Sequence, residues 1–236
     1  MNKVKLHTLW LLGMLFLMTA CGDDDYYYPS VKLEFVTVKA GADGLIQSLL
    51  PDKGELLTVA KDRTGSTISP NSARRVISNY EVNPEDATAV IYSLQSAVTP
   101  EPKGADDPAF EGGLKYDPVD VTSIWLGRDY LNMILNVKIN INSGKQHVFG
   151  MIEESVEAEG DETVVTLSLF HDANGDEENY NRRAYISVPL TKYVDEENPH
   201  QTIRIKFKYH TTDKSGVVVE SSKYCDPGFE YVPGVN

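Results

Sequence analysis

From residue 31 onward, apolar and polar side chains alternate with period two. The pattern is clearest at Leu131, Met133, Leu135, Val137, Ile139 and Ile141, where the interleaved positions are Asn132, Ile134, Asn136, Lys138 and Asn140. Successive side chains of a strand point to opposite faces, so this run predicts a strand with one face on a core and the other, apart from Ile134, toward water. Asn142-Ser143-Gly144 then predicts a turn, and residues 146–152 a returning strand. The same period recurs at Val165, Leu167 and Leu169, at Ala184, Ile186, Val188 and Leu190, and at Ile203, Ile205, Phe207 and Tyr209. Asn174-Gly175 carries a hairpin signal, and Asp213-Lys214-Ser215-Gly216 predicts a turn into residues 217–219. No long segment shows the helical period. Six or so such strands predict an antiparallel β-sandwich over residues 114–232.

The earlier half carries shorter runs, at residues 31–39, 45–49, 55–60, 74–82 and 89–98. Five strands of this length suit a small OB-like barrel over residues 31–113. Residues 99–118 are rich in Pro, Gly and Asp and are read as the domain boundary, the alternative being a long loop inside one domain. The fold class expected is therefore all-β, a barrel followed by a sandwich.

The first residues follow another rule. Lys3 and Lys5 precede an apolar stretch over 6–18, and Thr19 and Ala20 stand before Cys21. A basic start, a short apolar run and small residues before the cut predict a secretory signal over 1–20. The stretch is short for a membrane span, which takes roughly 20 apolar residues. A cysteine directly after the cut predicts lipidation at Cys21 and a tether over 21–30. Asp23, Asp24 and Asp25 cannot enter the bilayer, so the chain must leave it at once. This acidic run resembles the surface-export signal of Bacteroidetes lipoproteins, which implies the outer membrane and a face toward the cell exterior; a plain solvated tether is the alternative. Tyr26, Tyr27 and Tyr28 could rest at the interface, stack on sugar, or dock the tether onto the first domain.

Charge narrows the partners. The 236-residue chain carries net −13, and loss of Lys3 and Lys5 with the signal brings it to about −15. Such a chain repels phosphate backbones, so nucleic acid is not an expected partner. With Cys21 lipidated, Cys225 has no partner, and the exported protein must fold without a disulfide.

The sequence offers little chemistry. It has no Gly-x-Ser-x-Gly elbow and no phosphate-cradling glycine loop, and His147, His171, His200 and His210 are scattered. No catalytic residues, no zinc site and no cofactor are expected. Asp172, Asn174 and Asp176 resemble the start of a calcium loop, but Glu177 replaces its glycine and Arg183 its final glutamate, so a solvated Asn-Gly turn is the competing interpretation. Arg204, Lys206, Lys208 and His210 line the polar side of one strand, where they could grip an anionic glycan or an acidic partner, or pair with acids on the next strand. Tyr80 and Tyr92 are candidate ligand-binding aromatics that could equally be core residues.

The arrangement resembles a family. Asp117-Pro118-Val119-Asp120-Val121 leading to Leu126-Gly127-Arg128-Asp129-Tyr130-Leu131-Asn132, the stretch from Leu169 to Asp176, and the strand from Ile203 to Thr212 are similar to the NigD-like lipoproteins of Bacteroides and relatives. The resemblance implies an N-terminal OB-type barrel and a C-terminal sandwich. The family's name comes from a bacteriocin gene cluster, which suggests immunity. Together these features point to a non-catalytic surface lipoprotein that binds a protein or glycan, with a protective role as the alternative.

Overall fold

The computed structural model describes residues 30–176 and 179–234. Cys21, the three aspartates after it, the apolar leader and the tyrosine run lie outside the described residues. Among the described residues no helix is long and apolar enough to cross a membrane.

Strands β1 (Val31–Ala40), β2 (Ile46–Pro51), β3 (Leu57–Asp62), β4 (Ala73–Asn83) and β5 (Thr88–Ser96) close into a barrel in the order β1-β2-β3-β5-β4. An unbroken antiparallel ladder from Val31↔Glu81 to Lys39↔Ala73 joins β1 to β4, while β3 and β5 pair in parallel. Closure removes the open edges that five short strands would otherwise expose. Val36, Val38, Leu49, Val76, Tyr80 and Ile91 fill the interior.

Eight further strands form two facing sheets. One runs β13-β12-β10-β9-β6 and the other β11-β8-β7. These are β6 (Pro102–Gly104), β7 (Asp120–Gly127), β8 (Tyr130–Ile139), β9 (Val148–Glu159), β10 (Glu162–Asp172), β11 (Tyr180–Pro189), β12 (Ile203–Thr212) and β13 (Val218–Tyr231). Most pairs are antiparallel; β10–β12 and β6–β9 are parallel. The alternating residues meet as expected: Leu131, Met133, Leu135, Ile186, Val188, Ile205 and Phe207 are all sealed in one core. Each such side chain gains about 1.5–3 kcal/mol on leaving water, which is how the sandwich manages without a disulfide.

Four sequence expectations meet a different arrangement. First, β9 does not return beside β8. It crosses to the opposite sheet and pairs with β10, because β8 already has β7 and β11 on its two sides. Second, Asn174-Gly175 is no hairpin: β10 and β11 belong to different sheets, and the turn carries the chain across the end of the sandwich. Third, β7 is an additional strand. Its turn into β8 puts Arg128 at φ 48°, and Arg128 is held there by donating to the carbonyls of Pro51 at 3.3 Å and Gly54 at 2.8 Å. Fourth, Ile141 lies past the end of β8 and is 63% exposed. The stretch read as a boundary also packs on the sandwich: β6 pairs with β9, and Phe110 clusters with Ile152 and Phe170.

Residues from Val31 onward form one unit, and a buried junction explains why. Arg75 of β4 donates from Nε to Ser187 Oγ at 2.9 Å, from Nη2 to Asn132 Oδ1 at 3.1 Å, and also to Asp52. Ser187 Oγ donates to Asn132 Oδ1 at 2.7 Å, and Asn132 Nδ2 to Asp52 Oδ2 at 2.7 Å. Arg75 and Asp52 come from the barrel, Asn132 and Ser187 from the sandwich. Beside them Phe35, Ile77 and Ala97 pack against Trp125, Ile134 and Tyr185. Ile134, the odd apolar member of β8's outward face, is thus explained by the barrel docked on it. Val98 completes the seam, exchanging backbone hydrogen bonds with Tyr185 and Ser187 at 2.8 and 2.9 Å.

Candidate functional site

Two adjoining depressions open at the end of the sandwich, and His147 and Asp176 line both. The smaller, a cleft of about 260 Å³, has Asp117, Asn136, Lys138, His171 and Thr212 in its walls.

Its floor is a chain of hydrogen bonds. His171 sits in β10, stacked 4.7 Å from Phe149, and is almost wholly buried. Its Nδ1 lies 2.9 Å from the carbonyl of Asp117, which can only accept, so Nδ1 carries the proton. Burial lowers the His171 pKa from its ordinary value and favours the neutral ring, leaving Nε2 as an acceptor. His147 Nδ1 lies 2.9 Å from that Nε2 and is therefore the donor. The other ring nitrogen of His147, Nε2, is buried and has no hydrogen-bond partner among the described residues. Asp176 Oδ2 stands 3.5 Å from it. Asp117 holds its own place, its Oδ2 accepting from Ala173 N at 2.7 Å.

The larger depression is a groove of about 490 Å³ along the seam between the domains. Gln95, Ser96 and Val98 come from the end of β5 and the residues after it; Ile139, Gln146, Phe149, Arg182, Arg183 and Tyr185 come from the sandwich. Arg182 pairs with Val137 and Arg183 with Asn136, so the two occupy opposite faces of β11. Both are exposed. Lys145, also on the groove, donates to the Gly175 carbonyl.

The residues singled out by sequence do not converge. Tyr80 is fully buried in the barrel, its hydroxyl donating to Glu34 at 2.8 Å; burial and that carboxylate push its pKa well up. Tyr92 lies partly buried, its hydroxyl donating to Glu81 at 2.8 Å and its ring 5.0 Å from the Arg63 guanidinium. In the basic stripe, His210 is tilted against Tyr116 with ring centroids 4.5 Å apart, while the three Arg and Lys residues are paired. Arg204 grips Glu162 through two bonds of 2.8 and 2.9 Å, Lys208 donates to Glu154 at 2.7 Å, and Lys206 stands 3.9 Å from Glu159. The Arg204 hydrogen bonds pull the Glu162 carboxyl below its usual range. Asp172 accepts from Asn174 N at 2.7 Å and Asp176 from Asn140 N at 2.9 Å, so these carboxylates serve local turns in different directions. Glu177 of the calcium-like run lies outside the described residues.

No histidine among the described residues hydrogen-bonds to a serine or cysteine: their partners are His171, His147 and the carbonyls of Asp117 and Pro233. The Cys225 thiol lies 3.6 Å from the Phe207 carbonyl, and burial raises its pKa. Sequence spacing gave no hint of the His147–His171 contact, since 24 residues and a change of strand separate the two.

Comparison with known proteins gives a consistent picture. The model of the NigD-like N-terminal OB domain matches residues 35–97, and that of the NigD-like C-terminal β-sandwich domain matches residues 103–220. The crystal structure of a NigD-like immunity protein from Bacteroides caccae is 70% identical, with TM-score 0.79, covering 88% of this chain and 100% of that one. Two structures share the fold at 17% identity. One is a toxin-related protein, so labelled, from Parabacteroides distasonis, with TM-score 0.65 over 87% of this chain and 95% of its own. The other is a protein of unknown function from Bacteroides vulgatus, with TM-score 0.61 over 88% and 96%. No curated protein matches the chain.

Proposed function

Since the chain belongs to the NigD-like family, we propose from that premise that it acts as a lipid-anchored, non-catalytic surface protein that captures a glycan carrying carboxylate or sulfate groups in the groove between barrel and sandwich. The observation that carries this reading is the pair Arg182 and Arg183 at the groove. Both are exposed, and among the described residues neither stands in an ion pair, whereas Arg204 and Lys208 are held by glutamates. In a chain of net charge −13, open guanidinium groups beside a groove concentrate anionic ligands locally. Guanidinium forks match carboxylate and sulfate oxygens in pairs, and the amides of Gln95 and Gln146 suit sugar hydroxyls. The leader, Cys21 and the aspartates after it support the anchored placement.

Calorimetric titration of the protein with oligogalacturonate and chondroitin sulfate fragments tests this. Binding of either, lost in the Arg182→Ala/Arg183→Ala variant, supports the reading; no binding of either removes it. Mass spectrometry of Cys21, with protease access on intact cells, tests the anchor and its orientation.

A second reading is immunity, favoured by the name of the 70% identical relative. Unchanged sensitivity to a co-encoded bacteriocin after deletion of the gene would exclude it.

A further inference from the structure

We propose that the outer edge of β11, from Asn181 to Tyr185, docks an extended acidic segment of a partner protein, which joins the three-stranded sheet as an added strand. This is a second use of the groove. It is carried by the backbone and stands independently of the glycan reading.

Strand β11 is an edge strand, with β8 on one side. On its other side the only backbone pairing among the described residues is the parallel bridge between Val98 and Ile186. There Val98 N–H donates to the Tyr185 carbonyl at 2.8 Å, and the Val98 carbonyl accepts from Ser187 N–H at 2.9 Å. In an antiparallel ladder each residue turns its N–H and C=O to one neighbour, and the next residue turns them to the other. Tyr185 and Ser187 therefore face away from β8, and Arg183 and Asn181, in step with them, do the same. Among the described residues the backbone groups of Arg183 and Asn181 have no partner on that side.

The facing wall is open for a similar reason. Ala97 N–H turns to the Arg75 carbonyl of β4, so Ser96 turns its backbone away from β4. Strand β3 pairs with that side of β5 only as far as Ile91. The chain after β5 thus meets β11 at Val98 alone, and the groove opens where the two part, with Ser96 on one wall and Arg183 on the other. An unpaired edge beside an open groove is what strand addition requires: ladder hydrogen bonds hold the segment, and side chains on its two faces select it. From Asn181 to Tyr185 the edge runs about 13 Å at 3.3 Å per residue, room for about five residues.

Arg182 and Arg183 select the occupant. They project to opposite faces of β11, so they leave the edge clear and flank a strand laid along it. A second copy paired edge to edge would set the arginines of both copies side by side, and like charges across a ladder are destabilising. A segment with two adjacent acidic residues instead places one carboxylate on each face, opposite a guanidinium. Lys145 adds a third positive charge to the groove. The chain's net charge of −13 opposes such a partner only at long range, because ordinary salt screens charges beyond about 8 Å.

The test is amide hydrogen exchange of the full chain, free and with the capped peptide Thr-Val-Asp-Glu-Val-Thr. In the free protein Asn181 and Arg183 should exchange fast, while Arg182 and Ala184, which turn to β8, are protected. Saturating peptide should slow Asn181 and Arg183 by about tenfold or more. Two further peptides carry an N-methyl group at one or the other of the two acidic residues and keep every side chain. The one whose methyl meets β11 should bind about tenfold more weakly, the cost of one lost ladder bond and its crowding. Binding of the unmodified peptide should fall by about tenfold or more in Arg182→Ala/Arg183→Ala. Asn181 and Arg183 amides already protected in the free protein, no binding of the acidic peptide at millimolar concentration, or equal binding of all three peptides would each overturn the proposal. None of these outcomes alters the glycan titration, so the two readings fail separately.

Discussion

Asn132 of the sandwich donates from Nδ2 to Asp52 of the barrel at 2.7 Å. By the sequence pattern Asn132 lies on the face of β8 that should meet water. It meets the other domain instead, and is fully buried. Asp52 needs that donor, because it also holds the Arg75 guanidinium, whose side chain is only 2% exposed. The junction therefore combines one buried ion pair with hydrogen bonds that satisfy its remaining oxygens.

Breaking such a pair on one side strands a buried charge. Asp52→Ala is expected to lower stability by about 3–5 kcal/mol, read from the urea midpoint. Replacing both partners, Asp52→Leu with Arg75→Met, should lose markedly less, because no unpaired guanidinium remains. A double variant as unstable as the single one would show that packing, and not the stranded charge, sets the cost.

Gly127 lies where β7 turns into β8, directly under this network. A Cβ there would land inside the Asp52 carboxylate and against Asn132 Nδ2. Both groups are held by hydrogen bonds and have nowhere to move. Gly127→Ala should therefore cost about 1–3 kcal/mol, the range for overpacking, with the glycine's backbone freedom playing no part. A thermal melt that does not shift would contradict this.

His171 couples stability to pH. Burial depresses its folded pKa below the ordinary value of 6.5. As pH falls through that value, the unfolded chain takes up a proton that the folded chain refuses, so the unfolded state gains. Stability contributed by the neutral ring is complete above about pH 6.5 and declines as pH falls toward the depressed folded pKa. Urea midpoints between pH 7.5 and 5 should show this decline, and His171→Gln should flatten it even if its overall stability is lower.

The basic stripe on β12 makes the opposite prediction. Lys208 and Glu154 are each close to 30% exposed, so salt screens their pair. Lys208→Ala should change stability by less than about 1 kcal/mol, and by less still in high salt. Groove binding should be unaffected, which separates this stripe from Arg182 and Arg183.

Period-two alternation was enough to locate the core faces of β8, β10, β11 and β12, because burial on one face leaves a direct mark on composition. Strand partners were less legible. Asn174-Gly175 has the turn chemistry of a hairpin, yet sheet membership is decided by which strands already flank β8. Strand β7 is less legible for a related reason: its two-residue turn into β8 takes a positive φ at Arg128, where an Asn-Gly or Asp-Gly signal would normally mark a hairpin. Ile134 and Asn132 did carry a trace of the junction, as one apolar and one short amide residue on a face assigned to solvent. The histidine chain left none, since His147 and His171 meet only once β9 crosses to pair with β10.

The groove exists only while barrel and sandwich stay joined, with Gln95 and Val98 on one wall and Arg183 and Tyr185 on the other. Trp125 sits in the seam, its ring centroid 5.5 Å from that of Phe35, and a protein produced without residues 1–20 keeps it as its single tryptophan, since the other is Trp10. Urea unfolding followed at once by Trp125 fluorescence and far-ultraviolet circular dichroism is the most direct test. Coincident single transitions are predicted; a fluorescence change completed while the β signal is still intact would show that the junction opens first and would contradict the account.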